Sequence, residues 1–168
     1  MILSKKAATR GTTLIEVTFA ACISAFFLGS LFTMNMTGMN TIRSAREAGC
    51  ASQILQQRLE AMRIANWHQI TDANWVRTNL LATNAAGADG LKQMTETVTL
   101  IPYGSNTPGN TQIVRAGGTT TIVNLNTALL KESAMKVIWT VAYNAGANSN
   151  TTTRQTVAIL AKGGVAKW

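Results

Sequence analysis

Between Val17 and Ile42 the chain carries no charged side chain. Leu14, Ile15, Val17, Phe19, Ile23, Phe26, Phe27, Leu28, Leu31, Phe32 and Met34 fall at every angle around a helix rather than along one stripe. A helix apolar all round has no face for water, so it must be buried in lipid or among other helices. Its length is about what a membrane span needs, roughly 20 residues. From Thr41 to Ala65 the pattern changes without a break. Ile42, Ala45, Gly49, Leu55, Leu59 and Met62 recur at helical spacing, while Arg43, Arg46, Glu47, Arg58, Glu60 and Arg63 mark the opposite face. No proline interrupts residues 12 to 65. The pattern therefore predicts one continuous helix of about 50 residues, roughly 75 Å long, apolar in its first half and amphipathic in its second.

Beyond this helix the periodicity drops to two. Asn66 to Asp89 reads as loop with one short helix around Trp75 to Ala82. Met94 to Ile101 alternates, with Met94, Glu96, Val98 and Leu100 on one face, and Pro102 ends it. Thr111–Arg115 and Thr119–Leu125 flank Gly117-Gly118, a hairpin signal. Met135 to Tyr143 places Met135, Val137, Trp139, Val141 and Tyr143 on one face. After the polar stretch from Asn144 to Thr153, Arg154 to Lys162 supplies a partner strand with Val157, Ile159 and Ala161 expected inward. The expected fold class is α+β: a long N-terminal helix whose amphipathic half packs on a small antiparallel sheet.

Charge alters this picture only at the N-terminus. The formal net charge is +8, but Lys5, Lys6 and Arg10 precede the apolar stretch. Without them 12 basic and 7 acidic residues remain, a balance of +5. These are scattered with no run of neighbours, which reads as a solvated basic surface and gives no support to a nucleic-acid partner. Cys22 and Cys50, 28 residues apart on one helix, would lie about 42 Å from each other and cannot bridge within a chain. A secretory signal places its small-residue cleavage site after the apolar core. Here the small residue Gly11 comes before it, so cleavage there would leave the apolar helix on the mature chain.

The string R-G-T-T-L-I-E-V, Arg10 to Val17, resembles the processing site of the type IV pilin-like and type II secretion pseudopilin family, where a basic leader ends in Gly and F-T-L-I-E follows. The motif covers about eight residues, and its helix context extends the resemblance to about fifty-five. The resemblance implies that Lys5, Lys6 and Arg10 hold a leader in the cytoplasm and that Gly11 is its last residue. It implies that a prepilin peptidase exposes Thr12 as the mature N-terminus, a candidate for N-methylation. Glu16 then becomes the fifth residue of the mature chain and an assembly residue. The family usually begins its mature chain with Phe, and Thr12 stands there instead, which bears on methylation more than on cleavage. Major pilins often carry a C-terminal cysteine pair; its absence favours a minor pilin or a pseudopilin.

The implied organisation is a leader over 1–11, a transmembrane and assembly helix over 12–40, an amphipathic stem over 41–65 and a periplasmic β-rich domain over 66–168. The implied location is the inner membrane, single-pass, with the globular domain in the periplasm or outside the cell, and a filament after assembly. The partners are prepilin peptidase and other pilin or pseudopilin subunits, with no cofactor. An acidic side chain inside a membrane helix is unfavourable by roughly 2.5–3.5 kcal/mol near the centre and less at the edge, so Glu16 is expected to have a partner. The expected one is the Thr12 amine of a neighbouring subunit. Nothing in the sheet region suggests catalysis. His68 is the only histidine, and Asp72, Asp89, Glu96 and Glu132 stand isolated, without metal-ligand spacing. Gly87 to Gly90 reads as a turn. Trp139 is assigned to the core, and Trp67, Trp75 and Trp168 are left without a role. The alternative function is a minor pilin that binds DNA or an adhesive target, favoured if the +4 of residues 65–168 (8 basic, 4 acidic) clusters in space.

Overall fold

The structure, a computed structural model, describes residues 13–104, 109–145 and 150–163. Lys5, Lys6, Arg10, Gly11, Thr12 and Trp168 lie outside the described residues. The expected long helix is present as α1, Leu14–Ile64. The chain divides after Thr41 into two compact units.

In the first unit every described residue from Thr13 to Thr41 is exposed. The large side chains stand well out of any core, Phe26 being 82% exposed.

The second unit is α+β. After the remainder of α1 come the short helices α2 (Trp67–Thr71) and α3 (Ala73–Trp75), then a single π turn over Val76–Leu80. The expected helix around Trp75 to Ala82 is thus found as several short pieces that start earlier. Asp72 separates two of them: its Oδ1 accepts from the Asn74 amide at 2.9 Å and caps α3. The expected turn at Gly87–Gly90 is a 3-10 turn over Ala88–Gly90, entered through Gly87 at φ 88°.

Five strands follow: β1 (Lys92–Pro102), β2 (Thr111–Ala116), β3 (Thr119–Asn124), β4 (Ala134–Ala145) and β5 (Asn150–Ala161). They form one antiparallel sheet in the order β3-β2-β1-β4-β5. The β2–β3 connection is a two-residue turn with Gly117 at φ 56° and Gly118 at φ 82°, the doubly positive φ pattern that suits the twist of a tight hairpin. In the stretch from Asn144 to Thr153, read from sequence as a polar loop, every described residue is strand, with β4 and β5 paired out to Ala145 and Asn150. Polar Thr and Asn side chains are compatible with such a ribbon because one of its faces meets water.

One face of the sheet and the stem of α1 enclose the core. Met135, Val137, Trp139, Val141 and Tyr143 are all buried, as their alternation predicts, together with Val98, Leu100 and Ile113. Against them lie Ala51, Ile54, Leu55 and Met62 of α1, and Trp67, Ile70 and Val76 of the short helices.

Two expectations about faces are overturned. Val157 and Ile159 are 50% and 54% exposed and Ala161 is exposed too, whereas Leu160 is buried. Register decides this: Val157 pairs with Ile138, and Ile159 with Lys136, on the face of β4 opposite Val137 and Trp139. Strand side chains alternate, so a shift of one position exchanges the whole set. The buried stripe of the stem is also displaced from the expected one. Ile42, Ala45 and Gly49 are exposed, and the buried positions are Glu47, Ala51, Ile54, Leu55, Arg58 and Met62. Two of these six are charged, which is why a count of apolar residues misplaces the stripe.

Candidate functional site

The described residues of the N-terminal unit form an apolar helix without a core of its own. This helix is long and apolar enough to cross a membrane, and none of that apolar stretch is buried. At about 25 cal/mol for each Å² of apolar surface removed from water, a surface with this many exposed Phe, Leu, Ile and Met side chains is strongly driven into lipid or against other helices.

Glu16 lies in the first turn of this helix. Its Oε2 accepts a hydrogen bond from the Thr13 amide at 3.2 Å, and the Thr13 hydroxyl oxygen accepts one from the Glu16 amide at 3.4 Å. Thr13-Leu14-Ile15-Glu16 is therefore a capping box, which satisfies two of the amide donors that every helix start leaves over. The carboxylate also lies at the positive end of the helix dipole. Both interactions orient the carboxylate at the helix start, and it makes no ion pair among the described residues. The capping box is legible as T-x-x-E but is hidden behind the longer string in which it sits.

A second feature of this helix escapes a reading by hydropathy. Ala21, Ala25, Gly29, Thr33, Thr37 and Thr41 follow one another at i, i+4. The Thr33, Thr37 and Thr41 hydroxyls each donate to the carbonyl one turn back, at 2.9 Å, so their polar atoms are satisfied within the helix. An i, i+4 row of small residues lets another helix backbone approach closely. The row is inclined to the helix axis, so a crossing helix would meet two or three of its members at a time. Cys22 and Ser30 widen the shallow groove around Ala25, Gly29 and Thr33.

The polar residues of the second unit fall in different places. His68 is exposed on α2, Trp67 is buried, and Trp75 is half-buried beside the core. Glu96 is not isolated, contrary to the expectation from sequence. It is fully buried and holds Arg58 at 2.9 Å and 3.1 Å and Arg115 at 3.5 Å. Arg58, expected on the solvent face of the stem, also donates to the carbonyls of Leu80 and Thr83. It thereby ties together the stem, the end of the π turn with the residues just after it, and β1. Among the described residues no group of three or more His, Cys, Asp or Glu side chains comes together as a metal site.

Searches of protein-family models, of curated proteins and of solved structures match none to this chain.

Proposed function

We propose that the protein is a structural subunit of a type IV pilus or a type II secretion pseudopilus, without catalysis of its own. In this reading a prepilin peptidase cuts after Gly11, and the apolar helix stays on the mature chain. The subunit waits in the inner membrane with its β-rich domain in the periplasm. It then leaves the membrane for a filament in which helices pack on helices. The observation that carries the reading is the conjunction of an exposed, uncharged helical surface from Val17 to Ile42 with one acidic residue at its start. Lipid accounts for the apolar surface but offers the Glu16 carboxylate no counter-charge, and none is present among the described residues. A filament interior accounts for both, because the next subunit brings an amine.

The cation for Glu16 in this reading is the Thr12 amine of a neighbouring subunit, a charge that comes into being only on cleavage. A buried pair of this kind fixes geometry more dependably than it adds stability. It would therefore set axial register, while the row Ala21-Ala25-Gly29-Thr33 sets how closely the helices approach.

Co-expression with a prepilin peptidase tests the reading. The chain should shorten by its first eleven residues, and Gly11→Leu should abolish the change. A chain that keeps its length in the presence of an active peptidase contradicts the proposal.

A further inference from the structure

The buried cluster of Arg58, Glu96 and Arg115 holds two guanidinium groups against one carboxylate. Arg58 engages both Glu96 oxygens and directs its other donors to the carbonyls of Leu80 and Thr83, so it matches the carboxylate by itself. Arg115 is only 6% exposed. It reaches Glu96 through Nη1 alone, at 3.5 Å, and its Nε is buried with no hydrogen-bond partner. A buried cation short of hydrogen bonds is strongly unfavourable, and native interiors rarely leave such a donor unmatched.

A cleft of about 490 Å³ opens against this residue, and Arg115 forms part of its wall. Around it stand Asn84, Asp89, Gln93, Thr95, Gly117 and Gly118. Two backbone irregularities meet here. Gln93, at φ 49°, is the one non-glycine residue with positive φ among the described residues, and it occupies the break in register between Lys92 and Thr95 of β1. Across the sheet, Gly117 and Gly118 form the β2–β3 turn, and a Cβ on either would meet nothing within 4 Å. Bulges and left-handed non-glycine residues concentrate where a fold shapes a ligand site. Asp89 is exposed on the same wall and makes no ion pair with any described residue. The cleft thus has in its wall a guanidinium that Glu96 only partly matches, and at its edge a carboxylate with no ion pair among the described residues.

We propose that this cleft binds a small zwitterion, its carboxylate on Arg115 and its amine toward Asp89. Arg is suited to the first role because its planar fork of donors matches a carboxylate. The volume is within the range of small-molecule pockets and suits a ligand of amino-acid to dipeptide size. The site lies wholly in the second unit and does not depend on the filament reading.

The test uses the full-length chain in a nonionic detergent, titrated with glycylglycine and followed by the side-chain Nε–H resonance of Arg115. A saturable shift is expected, weakened more than about tenfold in Arg115→Gln, the scale of a lost charged hydrogen bond. Asn84→Trp, which fills the cleft from its edge and leaves the cluster intact, should abolish the shift and decides the matter if Arg115→Gln fails to fold. Asp89→Asn should weaken glycylglycine and favour glutarate, which carries a second carboxylate in place of the amine. No saturable shift into the millimolar range, a shift that equal sodium chloride reproduces, or an undiminished shift in Asn84→Trp would overturn the proposal.

Discussion

Glu16 and Thr13 exchange hydrogen bonds across the first turn of α1, the carboxylate accepting from the Thr13 amide at 3.2 Å and the Thr13 hydroxyl from the Glu16 amide at 3.4 Å. The carboxylate therefore has a local role before any neighbouring subunit is considered. The observed capping and the proposed charge pairing can be separated by substitution.

Glu16→Gln keeps a side chain that can close the capping box but carries no charge. Glu16→Ala removes both. If Glu16 acts in assembly through its charge, the two variants should be incorporated into filaments equally poorly, and both should still be cleaved after Gly11. Quantifying each variant in the membrane and in sheared filaments checks this. Normal incorporation of Glu16→Gln would reduce Glu16 to a helix cap.

Gly29→Leu places a branched side chain in the middle of the small row, where a Cβ meets nothing within the chain itself. The substitution should strengthen helix propensity by up to about 1 kcal/mol and leave membrane insertion intact. Close approach of a second helix should be lost. Cross-linking between neighbouring subunits is expected to fall while the amount of membrane-bound protein is unchanged. Cross-linking at the original level would show that the row is not a contact surface.

Glu96→Gln leaves Arg58 and Arg115 buried without a carboxylate. Removing one partner of a buried ion cluster typically costs about 3–5 kcal/mol. Arg58→Met, Arg115→Met and Glu96→Leu together remove the whole charge cluster and should be destabilising by less than the sum of the three single changes. Thermal unfolding of the full chain in detergent measures both. A loss near zero for Glu96→Gln would mean that the cluster is solvated rather than buried.

On β5, Leu160→Ala and Val157→Thr should behave differently although the residues are three apart. Leu160 is buried and its truncation is expected to cost about 2–4 kcal/mol. Val157 faces outward, and surface changes of this kind usually stay within about 0.5 kcal/mol. The opposite ranking would restore the register first expected from the alternation.

That pair also shows where the sequence is readable and where it is not. The long helix, the β2–β3 hairpin and the inward face of β4 are legible because each combines a strong period with a terminator or a bulky apolar set. Trp139 and its alternating neighbours leave no competing register. Arg154 to Lys162 offers Val157 and Ile159 on one face and Leu160 with small Ala158 on the other, and the more apolar face is the one left in solvent. Which face turns inward depends on pairing with β4, a long-range fact.

The same reason hides the charge cluster. Arg58 and Glu96 are 38 residues apart and look like surface charges until the stem is laid on β1. The proposed leader and cleavage site rest on the string Arg10 to Val17 alone, and what the fold adds is a long helix with an exposed apolar first part.

The account rests on a short basic lead-in being removed while the rod behind it is kept, and the identity of the first residue of the mature chain tests that most directly. N-terminal sequencing of the protein isolated from cells that carry a prepilin peptidase should begin Thr12-Thr13-Leu14-Ile15-Glu16, with or without a methyl group on the amine. A chain that still begins at Met1, or one that begins beyond the apolar segment, would contradict it.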